Sequence, residues 1–210
     1  MNIQVDMKHI ANYVMNHAKN YPNEVYWANV VDRPSERVYL KTYSYGPDYT
    51  PATVWKTSAQ VDTDGSPINY PPPHDPNTSL MYGDQAVNAE TIPYIVLPKN
   101  NKNNVMLGDI GIVIDTTTGK SVYVIYADKG PAGKIGEASI AMHAALGFQY
   151  KTSSGKFIGH DDLDLVYIMF PGSGSKCGYG YGKPIPTAAQ IANCAIPYFN
   201  ALKKTTSHSS

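Results

Sequence analysis

The alternation of polar and apolar positions changes period early in the chain. Across 6–18 the apolar residues Met7, Ile10, Ala11, Val14, Met15 and Ala18 recur at i, i+3, i+4 and i+7. That spacing predicts an amphipathic helix with Asp6 as its N-cap and Pro22 closing the segment. His9 and His17 fall near or off the apolar stripe and read as solvated. From Glu24 onward the period shortens towards two. Strands are predicted over 25–31, 37–45, 53–61, 94–97, 108–115, 121–127 and 164–170. Gly46-Pro47-Asp48 reads as a turn and 116–120 as a short hairpin loop. The stretch 65–78, GSPINYPPPHDPNT, carries too much proline for a helix or a central strand. A second helix is predicted over 137–146, with Gly147 as its C′ residue, and a Gly/Ser/Tyr loop over 172–183. A third helix runs over 186–202, interrupted near Pro197, and 205–210 read as a disordered tail. Short strands outnumber helices, and neither a repeat nor a linker stands out. One β-rich α+β domain over 1–204 is the natural reading.

Composition narrows the function classes. Seventeen Lys+Arg balance 17 Asp+Glu, for a formal net charge of +0. A nucleic-acid binder or a polybasic membrane-surface protein would show a basic excess. Charged residues make up only 16%, while Tyr and Gly number 17 each and Pro 16, which suits an extracellular or sugar-binding protein. No apolar run approaches the ~18 residues of a membrane-spanning helix. The first residues lack a basic start followed by an apolar core, so no signal peptide is visible; the chain reads as a mature form, or as one exported by another route. Cys177 and Cys194 either pair in an oxidising compartment or stay as buried thiols, and two isolated cysteines do not make a metal motif.

Candidate chemistry gathers in 121–147. A predicted strand ends at Asp128, a Gly/Pro loop reverses the chain, and the following helix opens with Glu137. Two carboxylates across an open loop suit acid/base work on a sugar acetal. The plainer alternative makes Asp128 a turn residue and Glu137 an ordinary first-turn helix residue. A helix N-terminus would lower the pKa of Glu137 and favour a base; burial would raise it and favour an acid. The division of roles stays open. Asp62 and Asp64 form an Asp-x-Asp-Gly that reads as a turn, as a calcium loop lacking its other ligands, or as a holder of cationic glucosamine units. Asp109 opens a strand and could line the same cleft. His160-Asp161-Asp162-Leu163-Asp164 has no metal-ligand spacing and reads as a solvated loop or as contacts to amines. Trp27, Trp55, Tyr70 and Tyr82 could stack on sugar rings.

Taken in order, these motifs resemble the fungal-type chitosanases of glycoside hydrolase family 75, which also occur in bacteria. The matching pieces are Val61-Asp62-Thr63-Asp64-Gly65, Ile92 through Pro98, Gly108-Asp109-Ile110-Gly111-Ile112-Val113, Tyr126-Ala127-Asp128-Lys129-Gly130-Pro131, Ile135-Gly136-Glu137-Ala138-Ser139 and Tyr167 through Gly172. The resemblance implies a secreted endo-acting hydrolase of β-1,4 bonds in chitosan, working by inversion without metal or organic cofactor. It implies Asp128 and Glu137 as the catalytic carboxylates; Asp62 and Asp64, whose motif recurs in the family, are expected to bind substrate, as are Asp109 and Tyr126. It implies a β-barrel related to the double-psi type. Thr63 stands where fungal members often have Cys, so no disulfide is expected there. The expected partner is chitosan or a chito-oligosaccharide, with a monomeric chain and neither nucleic acid nor membrane. Two other readings fit the same residues: a peptidoglycan-acting hydrolase such as a secreted antibacterial toxin, and a sugar-binding module without catalysis.

Overall fold

The computed structural model describes residues 6–20, 26–48 and 50–207. In chain order the elements are α1 (Met7–His17), β1 (Lys19–Asn20), β2 (Tyr26–Val30), β3 (Arg33–Tyr45), β4 (Thr50–Asp62), β5 (Met81–Tyr82), β6 (Gln85–Ala86), β7 (Tyr94–Pro98) and β8 (Ile110–Asp115). They continue with β9 (Ser121–Gly130), β10 (Lys134–Ile135), β11 (Glu137–Ser139), α2 (Ile140–Leu146), β12 (His160–Met169), α3 (Ser173–Cys177) and α4 (Ala188–Ser207). Val25, the first residue of the first predicted strand, lies outside the described residues.

Six strands close a barrel in the order β4-β11-β7-β9-β8-β12, with β12 pairing back onto β4. The expected β-rich barrel is therefore present. Most of its pairings are antiparallel, but β4–β11 and β7–β9 are parallel. On the far side of β4 the sheet continues through β3 to β2 and β10. Strand β4 belongs to both parts: residues 50–54 pair with β3, and Gln60–Asp62 pair with β11.

Period-two alternation sorts the barrel side chains onto two faces. Trp55, Ile95, Val113, Val124, Tyr126, Leu165 and Tyr167 meet in the interior. Their neighbours Val54, Ile112, Ile114, Val166 and Ile168 face outward, where α1 and α4 cover them. Being buried on both faces, the central strands read as nearly unbroken apolar runs, as in Ile110–Ile114. Helix α1 begins where expected, with the Asp6 carboxylate accepting from the His9 N–H at 3.0 Å.

Several elements differ from the sequence reading. Strand β12 begins at His160, registered with Ala59 of β4, so the stretch read as a solvated loop is strand. Helix α4 runs through Pro197, because Ile191, Ala195, Phe199 and Leu202 pack against the barrel on both sides of it. It also continues over part of the expected tail, where Thr205 Oγ1 accepts from the Gly46 N–H at 2.9 Å; positions 208–210 lie outside the described residues. The loop over 172–183 contains α3, and a disulfide between Cys177 and Cys194 ties α3 to α4. The last difference concerns Glu137. Ser139, not a residue at 136 or 137, caps α2, its hydroxyl accepting from the Met142 N–H. Glu137 lies on β11, held between β4 and β7. Among the described residues no helix is long and apolar enough to cross a membrane.

Candidate active site

Four adjacent strands carry one row of side chains on the outside of the barrel. Glu137 of β11 is registered with Gln60 of β4 on one side and Val96 of β7 on the other. Val96 is registered in turn with Asp128 of β9. Two strand spacings thus separate Glu137 from Asp128, ~10 Å between their backbones. A bulge makes this possible. The register of β7 on β9 passes from Ile95↔Tyr126 to Val96↔Asp128, leaving Ala127 as an extra residue. Strict alternation would send Asp128 inward with Val124 and Tyr126. The bulge turns it out beside Val96, on the face where Ala127 also packs.

Local structure then fixes each carboxylate. Asp128 is 8% exposed, and its Oδ1 accepts from both the backbone N–H and the hydroxyl of Ser79, each at 2.7 Å. The Ser79 hydroxyl oxygen also accepts from the Lys129 N–H at 3.1 Å, so the loop before β5 is clamped to the end of β9. Glu137 reaches over Gly130, where a Cβ would stand 2.8 Å from its Oε2. Gly136, with φ +103°, lets the chain leave β10 and enter β11 just before Glu137. Under α2, the buried His143 ring sits between the carbonyls of Ser139 and Ala59, at 2.9 and 3.0 Å, and ties the helix to β4.

Electrostatics in this cleft favour protons. Burial first, then Asp64, Asp128 and Asp32, push the Glu137 carboxyl up to about 7. Asp62 is pushed up to about 8, by burial first and then by the neighbouring Asp64. Asp64 is also raised, chiefly by burial, although its Oδ1 accepts from the Asp75 N–H at 2.7 Å. One oxygen each of Asp62, Asp64 and Asp128 lie within 4.8 Å of one another, an arrangement able to hold a cation or an ammonium group. The buried Tyr94 hydroxyl donates to the Asp64 carbonyl at 2.9 Å and braces the turn. The cleft has a volume of about 440 Å³; these four carboxylates line it, with Lys99 and Lys129 at its edge.

The family model for the fungal chitosanase of glycosyl hydrolase group 75 matches residues 44–195. The chain belongs to this family. No curated protein matches it. The matched region begins in β3, ends in α4 and takes in every residue of the carboxylate cleft. The barrel described above is thus that of a glycoside hydrolase.

Within this group 75 hydrolase the other sequence candidates are dispersed. Asp109 does not join the carboxylate cluster. It is buried, and its carboxylate accepts from the backbone N–H groups of Met106, Gly172 and Gly174, pinning two loops. Tyr126 points into the barrel and, with Asp109, borders a neighbouring cavity. Trp55 is no sugar platform: it is 1% exposed and stacked on Tyr167 inside the barrel. Tyr70 donates to Glu90, lies under the Lys151 ammonium and does not line the cleft. Trp27 and Tyr82 are exposed, Trp27 beneath the Arg37 guanidinium, and neither lines the cleft. His160 bonds Asp164 at 2.6 Å and stacks on Phe148; with Asp162 and Asp164 it forms a second group of close ligand atoms. Ser79, Lys99, Lys129 and the Tyr94 hydroxyl were not legible as site residues. Ser79 follows a proline-rich loop, and no spacing links it to Asp128.

Proposed function

We infer that the protein is an endo-acting chitosanase that cleaves β-1,4 bonds with inversion, Glu137 serving as general acid and Asp128 as general base. One observation carries this reading: the two carboxylates stand in one outward row, two strands apart, in unlike surroundings. That placement suits the wider carboxylate separation of inverting enzymes, ~6.5–9.5 Å, which leaves room for a water. Below about 7 the Glu137 carboxyl keeps its proton and can give it to the glycosidic oxygen as the C–O bond breaks. Asp128, held by Ser79, takes a proton from the water that attacks the anomeric carbon on the opposite face. A protonated glucosamine amine placed between Asp62 and Asp64 would favour their ionised forms and pair with them. The Cys177–Cys194 disulfide fits an oxidising compartment, and so supports secretion.

Release of reducing ends from chitosan in mildly acid buffer tests the assignment. The wild-type chain should release them. Glu137→Gln and Asp128→Asn should each lose activity about 10²-fold or more while keeping the wild-type circular dichroism. Absence of release by the wild-type chain refutes the activity, and a fully active variant refutes the role of the residue replaced.

A further inference from the structure

Beside the acidic cleft lies a second cavity of about 710 Å³, and the two share the side chains of Lys99 and Lys129. Its charge is opposite. Lys183 joins those two lysines, and among the described residues the sole carboxylate on its wall is Asp109. Both Asp109 oxygens already accept backbone N–H groups, from Met106, Gly172 and Gly174, so they hold the wall together. The cavity therefore presents lysine charge with no carboxylate free to balance it.

Asn103 adds a donor. It lines the cavity and is 8% exposed. Its Oδ1 accepts from the Val105 N–H at 2.8 Å and from Asn101 Nδ2 at 3.1 Å. A backbone N–H can only donate, so the amide orientation is fixed. Its Nδ2 is buried and has no partner among the described residues. A buried donor left unmet is costly until an acceptor arrives. At the cavity's rim Met106 is 68% and Tyr181 85% exposed, the apolar surface that a sugar face needs.

A glucosamine unit carries positive charge under the conditions in which Glu137 keeps its proton, and three ammonium groups would repel it. We propose that this cavity binds a carboxylate-bearing N-acylated sugar unit, so that the glycan lies with a free-amine unit in the acidic cleft and a carboxylated neighbour over Lys99, Lys129 and Lys183. The lysines pair with the carboxylate, Asn103 Nδ2 donates to the acyl carbonyl, and Tyr181 and Met106 cover the ring face. The inference rests on reading the cleft as that of a glycoside hydrolase, and it extends the substrate beyond chitosan, whose units carry no carboxylate. The glycan would alternate amino and carboxylated sugars, as partly deacetylated peptidoglycan does where its muramic acid carries no stem peptide.

Binding can be read without turnover. The full chain carrying Glu137→Gln is titrated separately with N-acetylmuramic acid, N-acetylglucosamine and glucosamine, and the amide resonances are followed by NMR. N-Acetylmuramic acid should bind about tenfold more tightly than either of the others, shift the Asn103, Met106 and Tyr181 amides, and weaken as salt rises. Lys183→Glu, on an exposed side chain, should weaken it about tenfold. Equal or tighter binding of glucosamine or N-acetylglucosamine overturns the proposal. So does an unchanged affinity in Lys183→Glu, or a response confined to the acidic cleft. Failure of the hydrolase reading shows separately, as a wild-type chain that releases no reducing ends.

Discussion

Glu137 shows how much one residue's seat decides. Read from sequence, Glu137-Ala138-Ser139 looks like the opening of a helix, where the dipole would favour the ionised form. In the fold these residues are a strand and burial governs, so the shift runs upward, to about 7. The sign matters for catalysis. A general acid must hold its proton, so kcat/KM on chitosan should fall as pH rises through about 7, and a pH profile checks this directly. An activity still climbing at pH 9 would place the proton elsewhere. Gly130 supplies a second test at this scale. Gly130→Ala puts a methyl 2.8 Å from Glu137 Oε2, so the carboxylate must move. Activity should drop roughly tenfold or more, since small misplacements of a catalytic group are costly. Thermal unfolding should change little by comparison. That the two acids share one cleft was legible in the sequence, because both sit in recognisable motifs. Ser79, which holds Asp128 with two hydrogen bonds, was not legible, because 49 positions separate them and only the folded loop brings them together.

Among the elements, periodicity placed most strands and the amphipathic helix α1 well. It misplaced the features that tertiary packing decides. The bulge at Ala127 has no sequence signature: Val122 through Asp128 keeps its period, yet Asp128 leaves the face of Tyr126. Likewise Pro197 predicts a break in α4, but the helix is held on the barrel by side chains before and after it. The link between α3 and α4 is open to measurement. The Cys177–Cys194 disulfide closes a loop of 17 residues. Breaking such a loop costs about 3 kcal/mol in the chain-entropy account. Cys194→Ser should therefore lower the thermal midpoint by several degrees, and an unchanged midpoint would show that packing alone holds the two helices.

For the whole molecule, composition suggested electrical neutrality, and the fold separates the charge. A formal net charge of +0 conceals an acidic cleft and a lysine-rich cavity that meet at Lys99 and Lys129. No sum over residues could show that separation, because it arises from β7 and β9 lying side by side and delivering both lysines to one edge. The β-rich barrel was expected from the motifs rather than from periodicity, since strands buried on both faces lose their alternation. Its closure puts Asp128 and Glu137 two strands apart on one wall, with Val96 of β7 between them. Proton NMR of the first product released from a chitosan oligomer tests that arrangement most directly. Inversion by two separated carboxylates predicts that the α-anomer appears first and then mutarotates. Initial release of the β-anomer would mean a nucleophile close to the acid, and would contradict the two-strand pairing of Glu137 and Asp128 as acid and base.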